Sequence, residues 1–307
     1  MSPRSRLWRA GRLLALGLVL AVCAVVVPSS SVKPTDMALV RLKQATSVDV
    51  NPDVVWILAV GSDARPGEDM THTRGDALQL IGMNTKTGAA AAIGIPRDSY
   101  VDIPGVGHDK INASLYYGGP ELLGQTVGNL VGIQPDYVFV TRFEKFRAMI
   151  GTIGGIEVDN PISFGDDYLK PVPFEAGKIH LGPWDALFFA RIRHDLLRGD
   201  FDRSANQQRV LIGIQAKIRQ NAAHHGFIEK GVLSAIENLA TNASPSELYR
   251  LARAAAAIKP SLITNCVVQG GIGDVGGASV VLPYVDQALE LGDEARDDAT
   301  LESCPGV

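Results

Sequence analysis

The sequence predicts a single mixed-sheet α/β domain preceded by an N-terminal transmembrane helix. Three observations carry that expectation. Short apolar runs that end in Gly/Asp loops alternate with stretches whose apolar residues recur at helical spacing. At 307 residues, with 46% hydrophobic and 20% charged residues, the chain can bury a substantial core, and it shows neither an internal repeat nor a low-complexity linker. An uncharged run at 13–32 has about the length needed to cross a bilayer.

The N-terminus comes first. Arg4, Arg6, Arg9 and Arg12 precede the uncharged run, and no charge follows until Lys33. As a helix the run spans about 30 Å, and the arginines before it place the N-terminus in the cytoplasm. The expected plan is a cytoplasmic tail at 1–12, an anchor at 13–32 and a polar stalk at 33–52. A cleaved signal peptide is the competing reading, because the strictly apolar part stops at Val27 and small residues follow. A lipoprotein site at Cys23 fits less well, since Val22 is bulky. Every reading exports the remaining chain.

Residues 53–60 form a continuous apolar run that feeds Gly61-Ser62-Asp63, the pattern of a buried strand and its loop. Residues 77–84 and 89–95 flank Thr85-Lys86-Thr87-Gly88 as a hairpin. A helix is expected from Gly119-Pro120 to Val131, a strand at 136–140 and a helix at 143–150. Residues 160–180, rich in Gly and Pro, read as a long irregular segment. Further helices are expected at 183–190, 204–223 and 227–240. Another begins after a Ser244 cap and runs to Ile258, and short strands follow at 265–268 and 279–282.

The net charge of −4 includes those four arginines; the other 25 basic residues face 33 acidic ones. An acidic body argues against nucleic acid as partner, since phosphate-backbone binding needs a basic face. Any anion site must be a local concentration of arginine. No histidine pattern suggests a metal, and no nucleophile elbow or Walker loop occurs. Cys266 and Cys304 lie in the exported part, where a disulfide persists; two separate thiols, with Cys266 buried in a strand, are the alternative.

Four polar clusters sit just past strand or helix ends, where side chains project from a rigid scaffold. They are Asp63 with Arg65; Arg74-Gly75-Asp76; Arg97-Asp98 with Lys110 and Asn112; and Arg191, Arg193, Arg198, Asp200, Arg203 and Gln207. Guanidinium groups grip phosphate with paired hydrogen bonds, so converging arginines suit a diphosphate. A surface network of Arg–Asp pairs is the bland alternative. Asp63 and Asp76 either supply hard oxygen ligands to magnesium or cap turns and pair with Arg65 and Arg74.

In this order the clusters resemble the LytR-CpsA-Psr family. The matching stretches are Gly61-Ser62-Asp63, Arg74-Gly75-Asp76, Ile95-Pro96-Arg97-Asp98, Lys110-Ile111-Asn112, Tyr117 to Pro120, Gly154 to Ile156, Ala190 to Arg193, Gly199-Asp200, Arg203 and Gln207-Gln208. The resemblance covers roughly 53–220. It implies an α-β-α catalytic domain at 53–225, completed by an extension at 226–307. It also implies an enzyme that moves a glycopolymer from a polyprenyl pyrophosphate carrier onto peptidoglycan through a phosphodiester, outside the cytoplasmic membrane. By the same resemblance, Asp63 and Asp76 hold Mg2+. Arg74, Arg97, Arg191, Arg193, Arg203 and Gln207 hold the phosphates, with Lys110 in support; Arg97 and Arg193 also act in catalysis. Asp200 is the candidate base, or else positions an arginine. The lipid tail is expected among apolar residues of the helices after 120 and 142. A pyrophosphatase and a non-catalytic lipid-binding scaffold are the alternatives. Asn206 departs from the family pattern, which has arginine there.

Overall fold

The computed structural model describes residues 36–43, 53–302 and 304. In chain order the first strands are β1 (Met37–Arg41), β2 (Val54–Ser62), β3 (Gly75–Asn84), β4 (Ala90–Gly94), β5 (Tyr100–Ile103), β6 (Gly107–Lys110) and β7 (Tyr137–Arg142). Then come β8 (Ile156–Asn160), β9 (Phe164–Asp166), β10 (Lys170–Phe174), β11 (Gly177–Leu181), β12 (Ala240–Thr241), β13 (Ile263–Val267), β14 (Gly270–Val275) and β15 (Ala278–Pro283). The helices are α1 (Ala113–Val131), α2 (Phe143–Thr152), α3 (Pro183–Arg191), α4 (Asp200–Ala222), α5 (Phe227–Asn238), α6 (Pro245–Ala257) and α7 (Val285–Ala295).

The central sheet is mixed, in the order β12-β1-β7-β2-β3-β4-β13. On one face Trp56, Leu58, Leu80, Ile93 and Val138 pack against Leu123 and Val127 of α1 and Leu291 of α7. On the other, Val55, Ile57 and Phe139 meet Val232 of α5 and Leu248 and Leu251 of α6. Both faces of β2 are therefore covered, which explains its continuous apolar run. Two glycines set the close approaches. A Cβ on Gly82 would lie 2.6 Å from the buried Trp56 ring, so glycine gives that ring its seat. A Cβ on Gly94 would lie 2.5 Å from Ser204 Oγ, so glycine lets α4 lie directly over β4.

The structure corrects several expectations. Part of the segment read as stalk, residues 37–41, is strand β1, antiparallel to β7 in the central sheet. The segment read as irregular, 160–180, lies mostly in paired strands: β9 with β10, and β11 with β8. Its Gly and Pro residues mark turns and edge positions, where proline costs no ladder bond. Helix α1 begins at Ala113 rather than Gly119, and it breaks at Gly118–Gly119 (Gly119 φ 65°) before Pro120 restarts it. The β5–β6 pair falls in a stretch for which no element was expected.

Cys266 and Cys304 are bridged. No helix of the described residues is long and apolar enough to cross a membrane. The anchor expected at 13–32 lies outside the described residues.

Candidate active site

The polar clusters converge where β2 ends, β3 begins, β4 runs into Pro96–Asp98, and α3 gives way to α4. Ser62 and Gly75 are cross-strand partners, so Asp63 and Asp76 stand at neighbouring strand ends. Asp76 is buried, with one carboxylate oxygen against Arg97 Nη1 and the other 3.5 Å from Arg191 Nε. Asp63 is exposed and close enough to Arg191 to favour its charge.

A second hub forms at Asp98. Its carboxylate accepts from Arg193 Nη1 at 3.3 Å, pairs with Lys110 Nζ at 3.2 Å and lies 4.0 Å from Arg97 Nε. The backbone holds it in place, since the Val281 N–H donates to Asp98 O at 2.9 Å. A third pair, Arg203 with Asp200, is almost fully buried on the first turn of α4. Asp200 sits at that N-terminus, where free N–H groups favour negative charge.

The electrostatics favour an added anion. Burial pushes the guanidinium pKa of Arg97, Arg191 and Arg203 down. Repulsion between Arg97 and Arg203, and from Arg193 on both, pushes the same way, while Asp98 and Asp200 pull the other way. The groups stay charged in any case, so a diphosphate would relieve both costs. Arg97 Nε and Arg191 Nε are buried without hydrogen-bond partners, as is Asp200 Oδ2.

Not every expected residue points into the cluster. Gln207 is engaged within the fold: its Nε2 donates to Ala190 O at 3.1 Å and its Oε1 accepts from Gln79 Nε2 at 3.1 Å. It fastens the end of α3 to β3. Arg74 is exposed on the rim, where its charge is felt by Tyr117. Asn206 is buried, and its Oδ1 accepts from Arg209 Nη1 at 2.8 Å.

Beside the cluster, a cavity of about 130 Å³ opens between the sheet and α2, α3 and α4. Phe143, Phe146, Met149, Leu187 and Leu211 line it, and Asp76, Arg191 and Gln207 reach it from the charged side. Arg191 spans the boundary, its guanidinium 4.5 Å from the Phe143 ring centroid. Of the two helices expected to hold a lipid tail, α2 lines this cavity. Helix α1 packs on the opposite face of the sheet, because its apolar stripe belongs to the Trp56 core.

Sequence reasoning gave no role to Arg142. It is buried at the end of β7, donating from Nη1 to Ala64 O (3.0 Å) and Arg65 O (2.7 Å) and from Nη2 to Glu68 O. It fixes the loop that follows Asp63. An arginine closing an apolar strand was the available signal.

Known proteins share this fold. The model of the LytR-CpsA-Psr family matches residues 25–296. The polyisoprenyl-teichoic acid–peptidoglycan teichoic acid transferase TagU of Bacillus anthracis is 35% identical over 198 residues, covering 64% of this chain and 62% of its own length. The chain thus matches less than two thirds of that relative. The crystal structure of B. subtilis TagV superposes with a TM-score of 0.65 at 26% identity, covering 81% of this chain and 99% of that one. TagT with bound octaprenyl pyrophosphate superposes with a TM-score of 0.61 at 25% identity, over 80% and 90% of the two chains. With the family model spanning most of its length and the same mixed α/β architecture in the solved structures, the chain belongs to the LytR-CpsA-Psr family.

Proposed function

We propose that the protein transfers a glycopolymer from a polyprenyl diphosphate carrier to peptidoglycan on the outer face of the cytoplasmic membrane, held there by the 13–32 segment. One observation carries the reading: an arginine cluster in which two buried Nε–H groups make no hydrogen bond adjoins an apolar cavity, and Arg191 faces both. That combination suits a molecule with a diphosphate at one end and an apolar chain at the other, whose first part the cavity would take. The relative named for teichoic acid transfer and the octaprenyl pyrophosphate bound to TagT support it.

In the proposed step an acceptor hydroxyl oxygen bonds to the glycan-side phosphorus. The bridging P–O bond breaks, and the lipid leaves as its monophosphate. The hydroxyl proton passes to Asp200 Oδ2, the carboxylate oxygen without a partner. Arg97, Arg191, Arg193 and Arg203 neutralise the phosphate oxygens, and positioning with charge neutralisation supplies most of the rate. Asp63 and Asp76 would hold a magnesium ion together with diphosphate oxygens. No group of three or more His, Cys, Asp or Glu among the described residues could hold a metal by itself; the exposed Asp63 carboxylate, with Asp76 shared between the ion and its two arginines, would fit a magnesium that completes its shell from substrate and water. Bound there, the ion adds charge neutralisation on the diphosphate.

A transfer assay with a polyprenyl-diphosphate-linked donor and peptidoglycan tests the reading. Polymer fixed to peptidoglycan is expected, lost on magnesium chelation and in Arg193→Ala, with the variant's unfolding midpoint unchanged. Free phosphate without attachment would replace transfer by hydrolysis. Stable donor binding without turnover would leave only a lipid-binding role.

A further inference from the structure

A second concavity, of about 410 Å³, lies between the β5–β6 hairpin, α1 and the end of β15. Its size falls within the range of roughly 300–1,000 Å³ common for small-molecule sites. Tyr100 and His108 form a tilted aromatic pair with centroids 5.8 Å apart, and Asp102 lies 3.6 Å from His108 Nδ1. Tyr100 carries a hydroxyl, Asn129 of α1 adds an amide, and Leu282 adds an apolar edge. None of its lining residues is Lys or Arg, so it is not built for phosphate. Aromatic faces beside carboxylate, amide and hydroxyl groups suit an uncharged polyhydroxy chain, which presents both C–H faces and hydrogen-bonding edges.

Its place relative to the arginines is specific. Contacts run in one order from the apolar cavity: Asp76 to Arg97, Arg97 to Asp98, Asp98 to Lys110. Lys110 is the cross-strand partner of Tyr100, and His108 that of Asp102, so all four side chains share one face of the hairpin. Tyr100 lines the groove and sits directly opposite Lys110, so the groove adjoins the charged cluster at its Lys110 end. In an in-line phosphoryl transfer the attacking oxygen enters opposite the leaving group. With the lipid phosphate leaving toward the apolar cavity, the acceptor comes from elsewhere, and the groove meets the cluster at Lys110.

We infer that this groove is the acceptor subsite, a cradle for the neutral N-acetylhexosamine chain of the glycan that receives the polymer. The inference rests on the transferase reading for its acceptor role but not for its binding chemistry. Two measurements on the full chain in detergent micelles keep them separate. The first titrates chitotetraose, a neutral β-1,4-linked N-acetylglucosamine chain, into wild type, Tyr100→Ala, His108→Ala and Asn129→Ala. His108 is mostly exposed, so its variant keeps the fold. Saturable binding in wild type, weakened about tenfold in each variant by loss of one stacking or hydrogen-bonding contact, is expected. Absence of wild-type binding, or equal binding in all four proteins, overturns the proposal. The second measures transfer: the acceptor KM rises about tenfold in the same variants while the donor KM stays put. A rise in the donor KM instead overturns the acceptor assignment, placing the donor's own polymer in the groove. Glycan binding without any transfer would sink the transferase reading and leave the groove standing.

Discussion

Asp98 touches three of the site's cations, and its charge has opposite effects on binding and on chemistry. It orients Arg193 and Lys110 through contacts of 3.3 and 3.2 Å, yet its negative charge would oppose the proposed diphosphate. Asp98→Asn keeps the shape and removes the charge. The donor KM is then expected not to rise, while kcat falls by roughly tenfold to a hundredfold as Arg193 and Lys110 lose their fixed directions. A raised KM with unchanged kcat, read from steady-state transfer kinetics, would refute that role. The residue types of this site were legible in the sequence, because arginines and aspartates gathered just beyond strand ends. Their pairings were not. Asp76 chooses Arg97 and Arg191 over its neighbour Arg74, since only the sheet register and the α3–α4 junction bring those groups together. Gln207 shows the same limit: a family motif names it, and only the fold reveals that Gln79 and Ala190 occupy its amide.

At the scale of elements, local chemistry predicted best where it was self-contained. Ser244 caps α6 as read from the sequence, and Glu247 completes a capping box by accepting from the Ser244 backbone N–H. That N–H, joined by the Ser244 and Tyr137 hydroxyls and by Arg41, holds the Glu247 carboxyl down at about 2, against an ordinary 4.5. A depressed carboxylate contributes stability above its unfolded pKa and loses it as pH falls through the folded one. Ser244→Ala is expected to cost about 1 kcal/mol at neutral pH. Urea midpoints for wild type and Glu247→Gln should differ most above pH 4.5 and converge as pH drops toward 2. A gap that stays constant across that window would show that the carboxylate's charge is not what stabilises the helix. The short pairs β8–β11 and β9–β10 escaped the sequence for the opposite reason. Three to five residues carry too little periodicity, and their pairing partners lie beyond glycines and prolines that read locally as breakers.

For the whole molecule, the Cys266–Cys304 bridge fastens the C-terminal tail to β13, an edge of the central sheet parallel to β4. Cys266 also offers its carbonyl to Gln208 Nε2 at 2.7 Å, which ties the bridged strand to α4, the helix that carries Arg203. The closed loop has a sequence separation of 38 residues, for which the chain-entropy model gives about 4 kcal/mol of stabilisation. Every expected site residue lies between Asp63 and Gln207, ahead of both cysteines. Cys304→Ser is therefore expected to keep its transfer activity at 25 °C while unfolding roughly 10 °C lower than wild type. Thermal scans with and without reductant test this, because reductant should bring wild type down to the variant and leave the variant where it is. Ala299 and Leu301 are themselves buried against the Trp56 core. An unchanged midpoint on reduction would mean that this packing alone secures the tail, and that the bridge adds nothing to a contact already made.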